Sequence, residues 1–336
     1  MFSIIVPSYN RNQEINALLE SLKQQTAYNF EVIIVDDCSK IPVSETLGIL
    51  NEFNDISTKE KVRELLTRDS LSHKKKKRER EREREREKVY SYPFDVKVVR
   101  NNPNVGAAQS RNVGATNATQ EWLLFLDDDD RFMPEKCERL AAEIANNPTA
   151  NFVYHPAKCE MVNEGFTYVT KPFKHKSELT KENILKANKI GGMPMIGLKK
   201  SLFCKIGGLS DRLRSLEDYD FLLKLLEEPS FEPLYVDEAL TYCTFHTKRS
   251  SVSTDTTNTE KAIEYIQQTY IKTPEANNFK LNSLYILSYP HVMNLSRKAA
   301  GYYFEMFKQT KNIKQLIIAL VIFISPKLAI NLKRFM

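Results

Sequence analysis

Apolar residues along the first half of the chain recur in two rhythms. Phe2-Ser3-Ile4-Ile5-Val6 is a short, mostly β-branched and aromatic run stopped by Pro7, and Ile15, Leu18, Leu19 and Leu22 follow at i, i+3, i+4 and i+7. That order predicts a strand, a loop and an amphipathic helix. Val32-Ile33-Ile34-Val35 predicts a second strand, halted by Asp36-Asp37-Cys38-Ser39, and Val96 to Val99 predicts a third. After Asn101 to Asn104, a small-residue helix from about Gly106 to Ala118 leads into Trp122-Leu123-Leu124-Phe125-Leu126, a fourth, buried strand closed by four aspartates. Strands alternating with helices imply an α/β protein with a mostly parallel central sheet. Such sheets take their ligands at the carboxyl ends of the strands.

Further on, Pro134 to about Asn146 predicts a helix, Asn151 to Tyr154 a strand, and Gly191 to Gly208 a loop-rich stretch. Ser215-Leu216-Glu217-Asp218 precedes Tyr219, Phe221, Leu222, Leu225 and Leu226, which share one helical stripe. Glu217 and Asp218 then sit in a first turn, where acidic groups suit the helix dipole. From about Thr256 the pattern is helical. The expected organisation is one α/β domain over residues 1–255, interrupted by an exposed or disordered charged insertion over 58–91, and a helical carboxyl-terminal region over 256–336.

Of the 336 residues, 42% are apolar and 27% charged, enough to bury a core. The net charge is +6, yet Lys74 to Lys88 (KKKKREREREREREK) alone holds five Lys, five Arg and five Glu and contributes +5 of it. A basic footprint on a folded face is therefore not expected, and no nucleic-acid partner is expected, a nucleic-acid arm being the alternative for this tract alone. The alternating Arg-Glu tract has no apolar face with which to join a core, and it can be encoded as a repeat of AGA-GAG. The five cysteines are scattered, with no C-x-x-C pair, which points to a reducing cytoplasm. No apolar run reaches the ~20 residues of a membrane span, the longest in the tail being Leu316 to Ile324.

Candidate chemistry concentrates in the carboxylates. Asp127-Asp128-Asp129-Asp130 repel one another unless a cation or donors compensate them. Hard oxygen ligands at one strand end suit Mg²⁺ or Mn²⁺. Asp36-Asp37 end another strand on the same expected sheet edge, so the two acidic strand ends together read as a nucleotide-plus-metal site.

Five stretches then occur in an order that resembles the family 2 glycosyltransferases of the GT-A fold: Ile5-Val6-Pro7-Ser8-Tyr9-Asn10, Ile33 to Ser39, Gly106 to Gly114, Phe125 to Asp130 with Pro134, and Glu217-Asp218-Tyr219-Asp220. The likeness spans about residues 1–250 apart from the charged insertion. It implies a metal-dependent, inverting transfer of a sugar from a nucleotide diphosphate, UDP above all, to a hydroxyl of a surface glycan of the lipopolysaccharide or capsule kind. By the same resemblance Pro7, Tyr9, Asp36 and Asp37 lie on the nucleotide, with Tyr9 stacking on the base and Asp37 accepting from uracil N3–H. Arg111 lies near the nucleotide or braces the aspartate loop. Asp129 is the direct metal ligand, and Asp127 holds ribose or shares the ion. Asp128, grouped with the nucleotide-sugar contacts, stands where many relatives carry a small residue. Asp218 is the catalytic base and Glu217 positions the acceptor. His246, in Cys243 to Ser253, approaches the metal or diphosphate, with Lys248 and Arg249 nearby.

Two rivals remain at this point. One is a nucleotide-sugar or glycan-binding protein without turnover, since fold alone does not establish function. The other is a sugar nucleotidyltransferase, which wants a glycine-rich phosphate loop where this chain has Pro7-Ser8-Tyr9-Asn10-Arg11. Met306 to Met336 carries six basic residues and no acidic one, so this tail is expected to meet the inner face of the cell membrane, where a lipid-linked glycan acceptor would lie.

Overall fold

The computed structural model describes residues 1–48, 52–53, 92–248, 255–271 and 276–332. The insertion expected over 58–91 lies outside them, as do Arg249, Ser250 to Ser253, Lys333 and Arg334. In chain order the elements are β1 (Phe2–Ser8), α1 (Asn12–Leu22), β2 (Phe30–Asp36), α2 (Val43–Leu47), β3 (Glu52–Phe53), β4 (Asp95–Arg100), α3 (Ala107–Asn117), β5 (Trp122–Phe125), β6 (Arg131–Phe132), α4 (Lys136–Asn146), β7 (Phe152–Tyr154), β8 (Ala157–Met161) and β9 (Phe166–Val169). There follow α5 (Lys181–Lys186), β10 (Ile196–Lys199), α6 (Lys200–Lys205), α7 (Glu217–Glu227), β11 (Pro233–Tyr235), β12 (Thr241–Phe245), α8 (Thr256–Tyr270), α9 (Ala276–Met293), α10 (Ala299–Thr310), α11 (Ile313–Ile324) and α12 (Pro326–Leu332).

The chain divides into two compact units. The first comprises Met1–Tyr154, Met193–Leu209 and Ser230–Val236. It holds an eight-stranded sheet with the order β11-β7-β10-β5-β1-β2-β4-β3. β5, β1, β2 and β4 are mutually parallel, so the expected mostly parallel α/β sheet is present. The β-branched and aromatic runs of β1, β2 and β5 are buried on both faces, as a helix-covered parallel sheet requires. Trp122 is core, as its position in the fourth apolar run implied. Helix α3 lies close against β1 because residue 114 is glycine: a Cβ there would fall 2.3 Å from Ile5 Cγ2.

The stretch from Gly191 to Gly208 departs from expectation. It reads as loop in the sequence, but it holds β10, antiparallel to both β5 and β7, and the helix α6. The four residues of β10 are too few for a period to show, and the glycine inside it argues against a strand. Tertiary packing demands that glycine, since a Cβ at Gly197 would sit 2.5 Å from Leu124 Cδ2.

The second unit comprises His155–Gly192, Ser210–Pro229 and Asp237–Met336. In it β12 pairs in parallel with β8, and β8 antiparallel with β9. The helices expected from Thr256 onward are present as α8 to α12.

Candidate active site

Because β1 is parallel to both β2 and β5, the turns that follow Ser8, Asp36 and Phe125 leave the same carboxyl edge of the sheet. After β1, Pro7 is half-buried within the strand end and Tyr9 is 50% exposed. Asn10 and, after β2, Cys38 adopt left-handed backbone at φ 55° and 68°. A non-glycine residue there costs about 1–3 kcal/mol and persists only where its surroundings enforce it. The two turns enforce one another. Asp37 N donates to Ser8 O at 2.8 Å, Asn10 N to Ser39 Oγ at 2.8 Å and Lys40 N to Asn10 Oδ1 at 2.8 Å.

The two aspartates that end β2 are used differently. Asp36 is fully buried, and its carboxylate accepts from Ser39 N at 2.9 Å, Val43 N at 3.1 Å and the Arg100 guanidinium. All three donors belong to the protein and the residue has no exposed surface, against 4% for Asp37, so Asp36 holds the turn from within. Asp37 accepts from Asn101 Nδ2 (2.9 Å) and Val105 N (2.8 Å) on Oδ1, and from Gly106 N (2.7 Å) on Oδ2. A carboxylate offers about four acceptor positions, so one remains on Oδ2.

Sequence reasoning missed the asparagines after β4. Asn101 also donates to Ser110 Oγ at 3.1 Å, and Asn104 Nδ2 donates to Asp37 O at 2.8 Å, so this loop carries the second wall of the Asp37 turn. The signal was present as three asparagines in four residues, read only as a connection.

After β5, Asp130 N closes a turn onto Asp127 O at 3.0 Å. Arg111, buried on α3, donates from Nη2 to Asp127 Oδ1 at 2.7 Å, bracing the aspartate loop. Arg131 Nη1 donates to the carbonyls of Asp128 (3.0 Å) and Asp130 (2.6 Å). Burial and then the neighbouring Asp129 carboxylate push the Asp128 carboxyl up to about 7, against the pull of Arg11. Crowding of this kind among acidic groups is what a divalent cation relieves. Among the described residues, no three His, Cys, Asp or Glu side chains form a ready cage. Mg²⁺-type sites seldom have one, since one or two carboxylates and substrate phosphates complete the shell. The donor chemistry of Asp127 and Asp129 therefore fits a hard cation shared with a diphosphate.

In the second unit, Glu217 and Asp218 open α7, both half-buried, directly after Leu216 at a left-handed φ of 58°. Asp218 Oδ1 accepts from Tyr219 N at 2.8 Å. Tyr219 and Asp220 fasten the helix. Tyr219 Oη donates to Ile184 O at 2.9 Å and accepts from Asn282 Nδ2 at 3.1 Å. Asp220, fully buried, accepts from Tyr270 Oη at 2.7 Å and pairs with Lys224 Nζ at 3.1 Å. Burial, then that carboxylate, raises the Tyr270 hydroxyl pKa far above its ordinary value, keeping the proton in the hydrogen bond. The motif Glu217 to Asp220 thus contains an anchor, Asp220, which the sequence could not tell from a site residue. His246 is half-buried at the end of β12, where Thr247 holds Asn163 and Glu164, and Lys248 is exposed at φ 60°.

One sheet edge thus carries an exposed aromatic, a donor-lined aspartate and a braced acidic turn. The family model of "Glycosyl transferase family 2" matches residues 3–66 and 79–206. A Haemophilus influenzae protein described as an uncharacterized glycosyltransferase is 62% identical over 335 residues, 99% of both chains. This chain belongs to the family 2 glycosyltransferases. A PGL/p-HBAD biosynthesis glycosyltransferase of Mycobacterium tuberculosis is 25% identical over 237 residues, 70% of this chain and 73% of that one. S. aureus TarS 1-349 in complex with UDP-GlcNAc shares the fold at a TM-score of 0.50 and 23% identity, covering 96% of this chain and 80% of that chain. Against a longer TarS chain the TM-score is also 0.50, at 22% identity, but only 48% of that chain is covered.

Proposed function

We propose that this glycosyltransferase moves a sugar from a UDP-linked donor to a hydroxyl of a surface glycan, with inversion at the anomeric carbon and with Mn²⁺ or Mg²⁺ as cofactor. The observation that carries this reading is the convergence of Tyr9, Asp37 and the Asp127 to Asp129 turn on one sheet edge. Tyr9 offers an exposed ring on which a base can stack, and the remaining acceptor position of Asp37 suits the N3–H of uracil. The TarS fragment that shares the fold holds UDP-GlcNAc, and the mycobacterial relative is named for PGL/p-HBAD biosynthesis, which support a nucleotide-sugar donor and a glycosylated product.

Asp129, with Asp127, would hold the cation, which would neutralise the departing diphosphate. Arg111 keeps Asp127 in place throughout, so the loop need not reorganise as charge develops. Asp218 takes the proton from the acceptor hydroxyl as that oxygen bonds to the anomeric carbon and the bond to the diphosphate oxygen breaks. A carboxylate within hydrogen-bond reach of the acceptor hydroxyl is the group this step requires. We assign Glu217 to orienting the acceptor and His246 to the metal or diphosphate, as the family resemblance implies.

UDP release from a panel of UDP-sugars, with Mn²⁺ and after chelation, tests the reading. Asp218→Asn is expected to lower kcat by roughly a thousandfold with donor affinity retained, and Asp129→Ala to abolish the metal dependence of UDP binding. Full turnover in the Asp218 variant would remove the base assignment. Sugar-dependent binding without any UDP release would instead favour a glycan-binding protein.

A further inference from the structure

Helix α11 (Ile313–Ile324) is 12 residues long and apolar on every side except at Lys314 and Gln315. A surface helix of a globular protein usually has one apolar stripe, facing the core. Here the inward stripe is accounted for: Ile322 is buried with Val292, Met293, Ala299 and Ile330, and Ile318 packs alongside. On the opposite side Ile313, Ile317, Leu320 and Ile324 fall at i, i+4, i+7 and i+11, and each is more than half exposed. Phe323, 65% exposed, and Leu328 of α12 lengthen the ridge.

The charge around this ridge selects its occupant. Lys311, Lys314 and Lys327 lie beside it in the sequence, and the chain from Met306 onward contains no acidic residue, while Lys308 pairs with Glu305 at 3.4 Å. A second copy docked through an isologous contact would set these lysines against their own equivalents with no carboxylate between them. An anionic surface with an apolar interior meets both halves of the pattern. At 1.5 Å per residue α11 is about 18 Å long, short of the ~30 Å hydrocarbon layer. Among the described residues no helix is long and apolar enough to cross a membrane.

We infer that the ridge Ile313, Ile317, Leu320 and Ile324 docks this chain flat on an anionic bilayer surface, the aliphatic side chains entering the headgroup boundary and the flanking lysines meeting lipid phosphates. The inference stands whichever residue serves as base, because it uses none of the site's residues. A growing glycan carried on lipid would then be presented where the enzyme already rests.

The test is co-sedimentation of the full chain with vesicles of phosphatidylethanolamine and phosphatidylglycerol, against vesicles of phosphatidylcholine alone. Binding to the anionic vesicles is expected to be at least roughly tenfold stronger and to weaken as salt rises from about 0.1 to 0.5 M. Ile317→Asp with Leu320→Asp should lose it by about tenfold or more, with circular dichroism and Tm unchanged since both positions face solvent. Should that pair fail to fold, Lys311→Glu with Lys314→Glu, both at exposed positions, should still cut anionic binding severalfold. Equal sedimentation with both vesicle types, or wild-type binding by a folded Ile317/Leu320 variant, would overturn the inference. So would a dimer in vesicle-free solution that the same substitutions dissolve, since a second copy would then be the occupant.

Discussion

At the scale of single residues, carboxylates that look alike in the sequence do different work because their neighbours differ. Asp36 has three protein donors and no exposure, so Asp36→Ala strands Ser39 N, Val43 N and the Arg100 guanidinium. That variant is expected to lose about 2–4 kcal/mol of stability, read from the urea midpoint. Arg111 pairs with Asp127, whose side chain is 33% exposed. Water screens part of that carboxylate's charge, so Arg111→Met should cost only about 1–2 kcal/mol, less than breaking a fully buried pair. Its larger effect should fall on function: the aspartate loop loses its brace, and UDP affinity is expected to drop by roughly tenfold, with Arg111→Lys recovering part of it. Isothermal titration with UDP and Mn²⁺ distinguishes the two variants.

At the scale of elements, close approach and buried anchoring decide what can be changed. Gly114→Ala drives a methyl into Ile5 where α3 meets β1, the strand that leads to Tyr9. Overpacking of this kind is expected to cost about 1–3 kcal/mol and to shift the thermal midpoint downward by several degrees. Tyr270→Phe leaves the ring of α8 in place but withdraws the hydroxyl from buried Asp220 on α7. A loss of about 1–3 kcal/mol is expected by denaturant titration, with UDP affinity unchanged, because Asp220 anchors the helix and makes no donor contact. Strand β10 belongs to this scale too: a four-residue strand with an internal glycine has no readable period, and only the gap between β5 and β7 gives it a partner on each side.

At the scale of the whole molecule, the Lys74 to Lys88 tract straddles a break in the family match: 74–78 lie in the stretch 67–78 that it passes over, and 79–88 lie in the segment resumed after it. The tract lies outside the described residues, and its sequence contains only Lys, Arg and Glu. In-frame deletion of Lys74 to Lys88 is therefore expected to leave UDP release and Tm close to those of the full chain. A large loss of turnover on deletion would make the tract part of the working enzyme.

The alternation of strands and helices, the parallel sheet and the placing of acidic turns at strand ends were legible in the sequence alone, because hydrophobic periodicity and strand-ending residues are local signals. So were the ordered family motifs up to Pro134, which fall within the family match. Which aspartate is spent on the protein was settled only by tertiary contacts. The partners of Asp36, Asp37 and Asp220 come from 64 to 69 positions away in Arg100, Asn101 and Gly106, and from 50 away in Tyr270. The same holds for the outer ridge of α11. Its composition marks an apolar helix, but which side the core takes and which is left to the surroundings depends on packing against α9, α10 and α12, because burial is a property of neighbours brought together by the fold.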